Sequence, residues 1–234
     1  MAGAAPRRSG ALAALTAEIV ECRACPRLVE WRERVAHEKR AAFRDEPYWG
    51  RPVPGFGDPR ARLLVTGLAP AAHGGNRTGR IFTGDRSGDW LFGSLHRNGY
   101  ANQSTSVRAG DGLRLRDAYV AAAVRCAPPA NKPTPAERDR CLPYLVRELE
   151  LLDRVRVIVV LGQFAYDATA RVLAASGSPL PTPRTRFGHG VEVESERAVV
   201  ICCYHPSQQN TFTGKLTESM LDVVFARARA LSGG

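Results

Sequence analysis

The sequence predicts an α/β fold: a three-layer α/β/α single domain with a central, mainly parallel sheet of four strands. Four nearly continuous apolar runs predict the strands, at 62–68, 118–124, 155–161 and 198–204, because a strand buried on both faces carries apolar residues without alternation. Helical patterns lie between these runs, and alternating strands and helices form parallel sheets through right-handed crossovers. At 234 residues and 44% hydrophobic content, the chain is long enough to bury one substantial core.

The segment before the first strand is predicted to be partly helical. We expect a flexible N-terminal tail over residues 1–10 and a single domain over 11–234. Apolar residues recur on one face of a helix over 11–21. Residues 43–60 contain aromatic residues, Pro and Gly without a clear period, which predicts an irregular segment. Farther along, the alternating stretch 191–194 predicts a small edge strand.

Capping signals define the later helices. Ser87 is a suitable cap for a helix that ends at Gly99, and residues 134–137 form a capping box with Pro at the first helical position. The capping box starts a helix that extends to Leu152. The last two helices are predicted over 163–174 and 216–231.

The loops that follow the four strands begin at Gly67, Arg125, Gly162 and Tyr204. In an open parallel sheet, ligands bind beyond the carboxyl ends of the strands. The four loops are therefore expected to converge on one site.

The composition is strongly basic. The 33 Lys and Arg residues against 23 Asp and Glu give a formal charge of +10, and all but three of the basic residues are arginine. Such a charge suits a polyanionic partner, because Arg and Lys placed on phosphates release condensed counterions. A GC-rich genome alone could also produce this arginine bias.

The sequence excludes membrane-spanning and secreted classes. It lacks an apolar run of about 18 residues and an apolar signal core at its start. We expect a cytoplasmic protein without a membrane partner, and a monomer, because nothing suggests a dimer seam. In that compartment the six cysteines are expected to be reduced thiols or metal ligands rather than disulfides.

Four cysteines are spaced to hold an inorganic centre. Cys22 and Cys25 form a C-x2-C hook, Cys126 ends a predicted strand, and Cys141 lies in the next helix. Both tetrahedral zinc and a 4Fe-4S cluster accept four Cys ligands. Structural zinc usually takes two tight hooks, so the wide separation of the last two cysteines favours the cluster, although ligand chemistry alone leaves both open. The vicinal pair at 202–203 is predicted to lie in the core.

Two polar segments follow apolar strands, and they carry a family resemblance. The first segment, 67–85, is rich in glycine, and the second, 205–215, begins with His-Pro-Ser. Both strongly resemble the signature motifs of the family 5 uracil-DNA glycosylases, and the resemblance covers the chain from Cys22 to Phe225. Leu68 and Ala69 occupy positions at which other branches of that superfamily carry an acidic or amide side chain.

The resemblance implies roles for individual residues. The family carries a 4Fe-4S cluster on cysteines spaced as in this chain. Phe82 would stack on uracil, His205 would stabilise the departing base, Asp85 would position the attacking water, and Asn131 would contact the base. Each also has a structural interpretation: Phe82 as a core residue, Asp85 as a helix start, and Asn131 as a turn residue beside proline.

The same resemblance extends to residues around these four. The substrate pocket would also include Gly67, Ala69, Ala71, His73 and Asn76. Short polar side chains after the catalytic His, a setting suited to phosphates, would bind DNA: Ser207, Gln208, Gln209, Asn210 and Lys215.

The implied function is that of a monofunctional DNA glycosylase in base excision repair. It would flip uracil out of DNA, hydrolyse the N-glycosidic bond and leave an abasic site. With apolar residues at 68 and 69, other deaminated or etheno-modified bases are also expected as substrates. Only three lysines are present, and none lies where a Schiff-base nucleophile would be expected. Two other classes stay open: a non-catalytic nucleic-acid-binding protein with an iron-sulfur or zinc centre, and a redox iron-sulfur protein.

Overall fold

The computed structural model describes the backbone of residues 4–233 and the side chains of residues 9–233. Its strands form one sheet in the order β1-β3-β2-β4-β6-β5. The strands are β1 (Phe56–Gly57), β2 (Leu63–Gly67), β3 (Ala118–Ala122), β4 (Val157–Leu161), β5 (Glu192–Glu194) and β6 (Val199–Cys203). The helices are α1 (Ala4–Val20), α2 (Pro26–Glu38), α3 (Gly75–Thr78), α4 (Arg86–Arg97), α5 (Pro135–Leu151), α6 (Gln163–Ala175), α7 (Gln208–Phe212) and α8 (Glu218–Ser232), with short 3-10 turns at Ala41–Phe43 and Pro129–Asn131.

The sheet is wider than the sequence predicted. The four inner strands are parallel to one another and coincide with the four apolar runs. The predicted count of four was wrong for the sheet as a whole, because the antiparallel strands β1 and β5 pair with its two outer parallel strands. Strand β5 lies within the stretch 191–194 that alternation marked as an edge strand.

Helices cover both faces of the sheet. Within β2, Leu63 and Val65 face one core, together with apolar residues of α4 and α8, while Leu64 faces the other. The second core is completed by residues of α1, α5 and α6. Side chains such as Phe225 are fully buried, and each such burial stabilises the fold by about 1.5–3 kcal/mol. The predicted three-layer α/β/α architecture is confirmed.

The helix boundaries confirm some predictions and correct others. Helix α1 begins at Ala4, so residues 4–10, expected in a flexible tail, belong to it, and residues 1–3 lie outside the described part. Helix α4 is capped by Asp85 and not by Ser87. The predicted capping box of α5 is present, with Thr134 Oγ1 accepting from the Glu137 backbone N–H at 3.2 Å. Sequence patterns did not predict α2, α3 or α7. Among the described residues, no helix has the length and apolar character to cross a membrane.

The parallel strands end together. Strands β2, β3, β4 and β6 end at Gly67, Ala122, Leu161 and Cys203, on one edge of the sheet. The two polar segments and the loop that contains Asn131 all begin at this edge.

Candidate active site

A cavity of about 510 Å³ lies at the carboxyl edge of the sheet. Both polar segments contribute to its wall, as does the loop after β3. Its lining consists of Leu68, Ala69, Ala71, Phe82, Asp85, Arg86, Ser87, Asn131, His205, Ser207, Gln208 and Gln209. Phe82, Asp85, Asn131 and His205, predicted from separate parts of the chain, therefore meet in one place.

Phe82 forms the aromatic wall of the cavity. Its ring centroid lies 5.8 Å from that of His205, with the two planes inclined by 34°. The ring fits because Gly67 has no side chain: a Cβ added there would lie 2.5 Å from Phe82 Cζ. Phe82 adopts a left-handed backbone with φ of 52°. Such a conformation is costly for an aromatic residue and persists only where its surroundings impose it, often at functional sites.

Two arginines hold the segment around Phe82. Arg80 donates to Thr83 Oγ1 at 3.0 Å and to Asp111 Oδ2 at 2.6 Å. Arg77 spans the segment, donating to the carbonyl of His73 at 2.8 Å and to that of Gly84 at 3.1 Å. These charge-assisted hydrogen bonds fix the loop on both sides of the aromatic ring.

Asp85 serves both as a helix cap and as part of the cavity wall. Its Oδ1 accepts a hydrogen bond from the Gly88 backbone N–H at 3.1 Å, which caps α4. Its Oδ2 lies against Gly74, where an added Cβ would come within 2.2 Å of that oxygen. Burial raises the pKa of the carboxyl above its ordinary value, and the backbone N–H groups of Gly88 and Ser87 partly offset this. A carboxylate with a raised pKa is a better proton acceptor.

His205 follows β6 directly and faces Phe82 across the cavity. Its carbonyl accepts from Asn210 Nδ2 at 2.9 Å, which anchors the backbone at the strand end. Burial lowers the pKa of the imidazole to about 4. His205 is therefore a neutral side chain at physiological pH, able to donate one N–H to an oxygen in the cavity.

Some predicted pocket residues lie outside the cavity lining. Asn76 is fully buried in α3, and its Nδ2 donates to the Arg32 carbonyl at 3.1 Å. His73 Nδ1 shares a hydrogen bond of 3.0 Å with the Tyr48 hydroxyl. Placing these two side chains on the substrate was therefore wrong in this structure, because α3 turns them toward the protein. Gly67 acts through the space that it leaves.

The predicted DNA-binding residues divide in the same way. The first three, Ser207, Gln208 and Gln209, line the cavity. Asn210 is engaged with the His205 carbonyl, and the ammonium group of Lys215 lies 4.8 Å from the centre of the Tyr204 ring. The sequence did not single out Ser87 or Leu68 as lining residues; their positions beside Asp85 and Ala69 were the available signal.

The four predicted ligand cysteines come from three parts of the fold. Cys25, Cys126 and Cys141 pack in one buried group, at the start of α2, the end of β3 and within α5. Burial raises the pKa of Cys126 to about 12 and that of Cys141 to about 11, and negative charge on Cys22 raises both further. All four thiols are therefore close enough to influence one another. The pair at 202–203 is buried in β6, as predicted.

Arginines surround the cysteine group. Arg32 donates from Nη1 to Cys126 Sγ at 3.0 Å. Arg125 interacts electrostatically with Cys141, and Arg140 with Cys25. In the part of the chain that the structure describes, no three His, Cys, Asp or Glu side chains converge closely enough to hold a single metal ion.

Comparisons with known proteins agree with this geometry. The family model of the uracil DNA glycosylase superfamily matches residues 54–229. The chain is 58% identical to the type-5 uracil-DNA glycosylase of Mycobacterium tuberculosis (strain CDC 1551 / Oshkosh), over 96% of this chain and 83% of the relative. It is 51% identical to that of Thermus thermophilus, over 92% and 95% of the two chains. The type-4 uracil-DNA glycosylase of Archaeoglobus fulgidus is 31% identical over 66% of this chain.

The chain belongs to the uracil-DNA glycosylase superfamily. Within it, the chain is a family 5 member, because relatives of that type match it over nearly its whole length. In this glycosylase the family match of 54–229 includes both polar segments, while the hook at Cys22 and Cys25 precedes it. The resemblance inferred from the two segments is confirmed.

Proposed function

We propose that this family 5 protein is a monofunctional uracil-DNA glycosylase that excises uracil from DNA in base excision repair and leaves an abasic site. The observation that carries the proposal is the convergence of Phe82, Asp85 and His205 around one cavity of about 510 Å³. An enzyme that breaks the bond between a base and its sugar must take the base out of the stack and enclose it. A non-catalytic binding module needs no such constellation.

Phe82 and His205 act on the base. The ring of Phe82 offers a flat surface on which a flipped pyrimidine stacks. As the bond from N1 of uracil to C1′ of the sugar breaks, negative charge develops on the base and its carbonyl oxygens. Neutral His205 donates a hydrogen bond to one of these oxygens and stabilises the departing anion.

Asp85 acts on the sugar side. Its carboxylate orients a water molecule and accepts a proton as the water oxygen bonds to C1′, and it offsets the positive charge that develops on the sugar. Capping of α4 holds one carboxylate oxygen in place, so the group is oriented before substrate binds. Asn131 is proposed to contact the Watson-Crick edge of the base from the opposite wall.

The cavity suits more than one base. Leu68 and Ala69 add apolar surface where other branches carry a polar side chain, and the volume exceeds that of a single pyrimidine. We propose that deaminated purines and etheno-modified bases are further substrates. Ser207, Gln208 and Gln209 at the rim, with Lys215 beyond it, are proposed to contact the DNA backbone.

Alkali cleavage of a duplex with one uracil tests the activity. The full-length protein should produce strand breaks at uracil after alkali, while Asp85→Ala and His205→Ala should each reduce the single-turnover rate by about 100-fold or more. Asp89→Ala and His96→Ala are matched controls, because both side chains lie on α4 outside the cavity lining. Wild-type rates in both cavity variants would contradict the proposed site.

We further propose that Cys22, Cys25, Cys126 and Cys141 hold a 4Fe-4S cluster. Each thiolate of such a cluster binds a different iron, so the ligands are more widely spaced than around one zinc ion. The guanidinium groups of Arg32, Arg125 and Arg140 supply positive charge beside the thiolates. When bound, the cluster would supply a structural cross-link between α2, β3 and α5.

Metal analysis tests this centre directly. Purified protein should contain iron and sulfide in equal amounts, near four of each per chain, and should be brown. Cys126→Ser should lose iron and unfold at lower temperature, whereas Cys202→Ser, which changes a buried thiol in β6, should retain iron. A colourless protein that contains zinc would overturn the proposal. We expect the enzyme to act as a monomer in the cytoplasm, where thiols stay reduced.

A further inference from the structure

Base flipping leaves a gap in the duplex. Extrusion of a nucleotide removes its stacking and pairing, and proteins that distort DNA commonly fill such gaps with an apolar side chain. A side chain with this role must be exposed before DNA binds and must lie beside the cavity that receives the base. Assigning such a role to a residue of this chain rests on the proposed glycosylase function.

Phe212 is exposed at the end of α7. Its relative exposure is 62%, and it is one of four large apolar residues in the described part of the chain that are so exposed. The other three, Trp49, Val107 and Val223, do not line the cavity. Exposed phenyl surface is unfavourable in water, so Phe212 gains from any contact that covers it.

Contacts place Phe212 at the rim of the cavity. The guanidinium of Arg86, a lining residue, lies 4.3 Å from the centre of the Phe212 ring. Arg86 Nε also donates to Thr211 Oγ1 at 3.4 Å. Gln208 and Gln209, which line the cavity, precede Phe212 by four and three residues on α7, and residues at these spacings share one face of a helix.

We propose that Phe212 is the wedge that enters the duplex and occupies the space vacated by the flipped nucleotide. The phenyl ring stacks on the neighbouring bases, and Arg86, held by cation-π contact, lies where a phosphate of the same strand can pair with it. The net charge of +10 favours close approach of the duplex.

The wedge is needed only where a base stack must be opened. In paired DNA, Phe212→Ala should therefore reduce kcat/KM for uracil excision at least tenfold, a loss of about 1.4 kcal/mol, which is within the range measured for single aromatic-base stacking contacts. In single-stranded DNA, and in duplexes with uracil opposite an abasic site, less stacking and pairing must be broken. The same variant should lose less than twofold on these two substrates.

Two further variants test the chemistry of the side chain. Phe212→Leu retains an apolar wedge and should recover most of the activity on paired DNA. Val223→Ala removes an exposed apolar side chain on α8, away from the cavity, and should match wild type on every substrate. Because Phe212 is exposed, truncating it is not expected to change the melting temperature, and thermal unfolding checks this.

A fluorescence measurement follows the opening itself. With 2-aminopurine placed beside a non-cleavable uracil analogue, wild-type protein should raise the fluorescence by unstacking the reporter, and Phe212→Ala should raise it much less. Equal losses on paired and unpaired substrates, or no loss on paired DNA, would overturn the wedge. If wild-type protein excises uracil from no substrate, the proposed function fails instead.

Discussion

The close approach of Gly74 to Asp85 gives a sharp test of the water-positioning role. A methyl group at Gly74 would lie 2.2 Å from Asp85 Oδ2, 3.0 Å from Asp85 Cγ and 3.2 Å from Ala71 Cβ. Ordinary contacts between heavy atoms are about 3.5 Å or longer. In Gly74→Ala the carboxylate must therefore move by roughly 1 Å away from its present position.

The carboxylate cannot make this movement freely. Its Oδ1 is held by the Gly88 backbone N–H at 3.1 Å, so displacement either rotates Oδ2 away from the cavity or breaks the cap of α4. A misplacement of about 1 Å in a reacting group costs on the order of 100-fold in rate, or about 2.7 kcal/mol. Loss of the cap would cost a further ~1 kcal/mol of stability, which lowers the melting temperature by about 2–4 °C in a chain of this length.

Single-turnover excision from a uracil-containing duplex measures the effect. Gly74→Ala should lower the rate by about 100-fold with little change in DNA affinity. Gly93→Ala is the matched control, because a methyl group there meets only the flexible end of Arg97. The double variant Gly74→Ala/Asp85→Ala should be no slower than Asp85→Ala alone, since both changes remove the same group. A wild-type rate in Gly74→Ala would refute the assignment of the water to this carboxylate.

Three other predictions concern the core, the pH dependence and the aromatic wall. Glu148→Gln leaves the fully buried guanidinium of Arg125 without its counter-charge and should lower the free energy of unfolding by about 3–5 kcal/mol in urea titrations, whereas the same change in an exposed ion pair costs less than about 1 kcal/mol. Because burial raises the pKa of Asp85, kcat/KM should be complete above that raised value and decline as the pH falls through it; the pKa of His205 is lowered to about 4, so a step near pH 6.5 that disappears in a His205 variant would contradict the neutral donor. Gly67→Ala pushes a methyl group to 2.5 Å from the aromatic ring of the cavity wall and should weaken binding of a flipped uracil analogue by at least tenfold, with thermal unfolding as the check on folding.

The inner strands were predictable because short, continuous apolar runs between helical patterns are typical of strands buried on both faces. Strand β1 was not, because its two residues, Phe56 and Gly57, carry no period and become a strand only by pairing with β3. The buried face of α2 includes Leu28 and Val35 together with the charged Arg32, and this mixture concealed the helical pattern. Such elements depend on tertiary contacts that local sequence does not contain.

The site shows the same division. The aromatic, imidazole and carboxylate groups were predictable because two long segments resemble one family. Asn76 lies only six residues before Phe82, yet α3 buries its side chain against α2. The cap of α4 was assigned to Ser87 because both Ser87 and Asp85 are good capping residues, and geometry alone distinguishes them. Proximity in sequence predicted membership of the loop but not the direction of each side chain.

The two bonds of Asp85 have a consequence for comparing relatives. Asparagine caps helices about as well as aspartate, so a homologue with asparagine at this position would keep the start of α4 while losing the negative charge that faces the sugar. Such a chain would fold, melt and bind DNA like an active enzyme and still leave damaged bases in place. The residue at this one position therefore separates repair enzymes from inactive descendants that no measurement of stability would reveal.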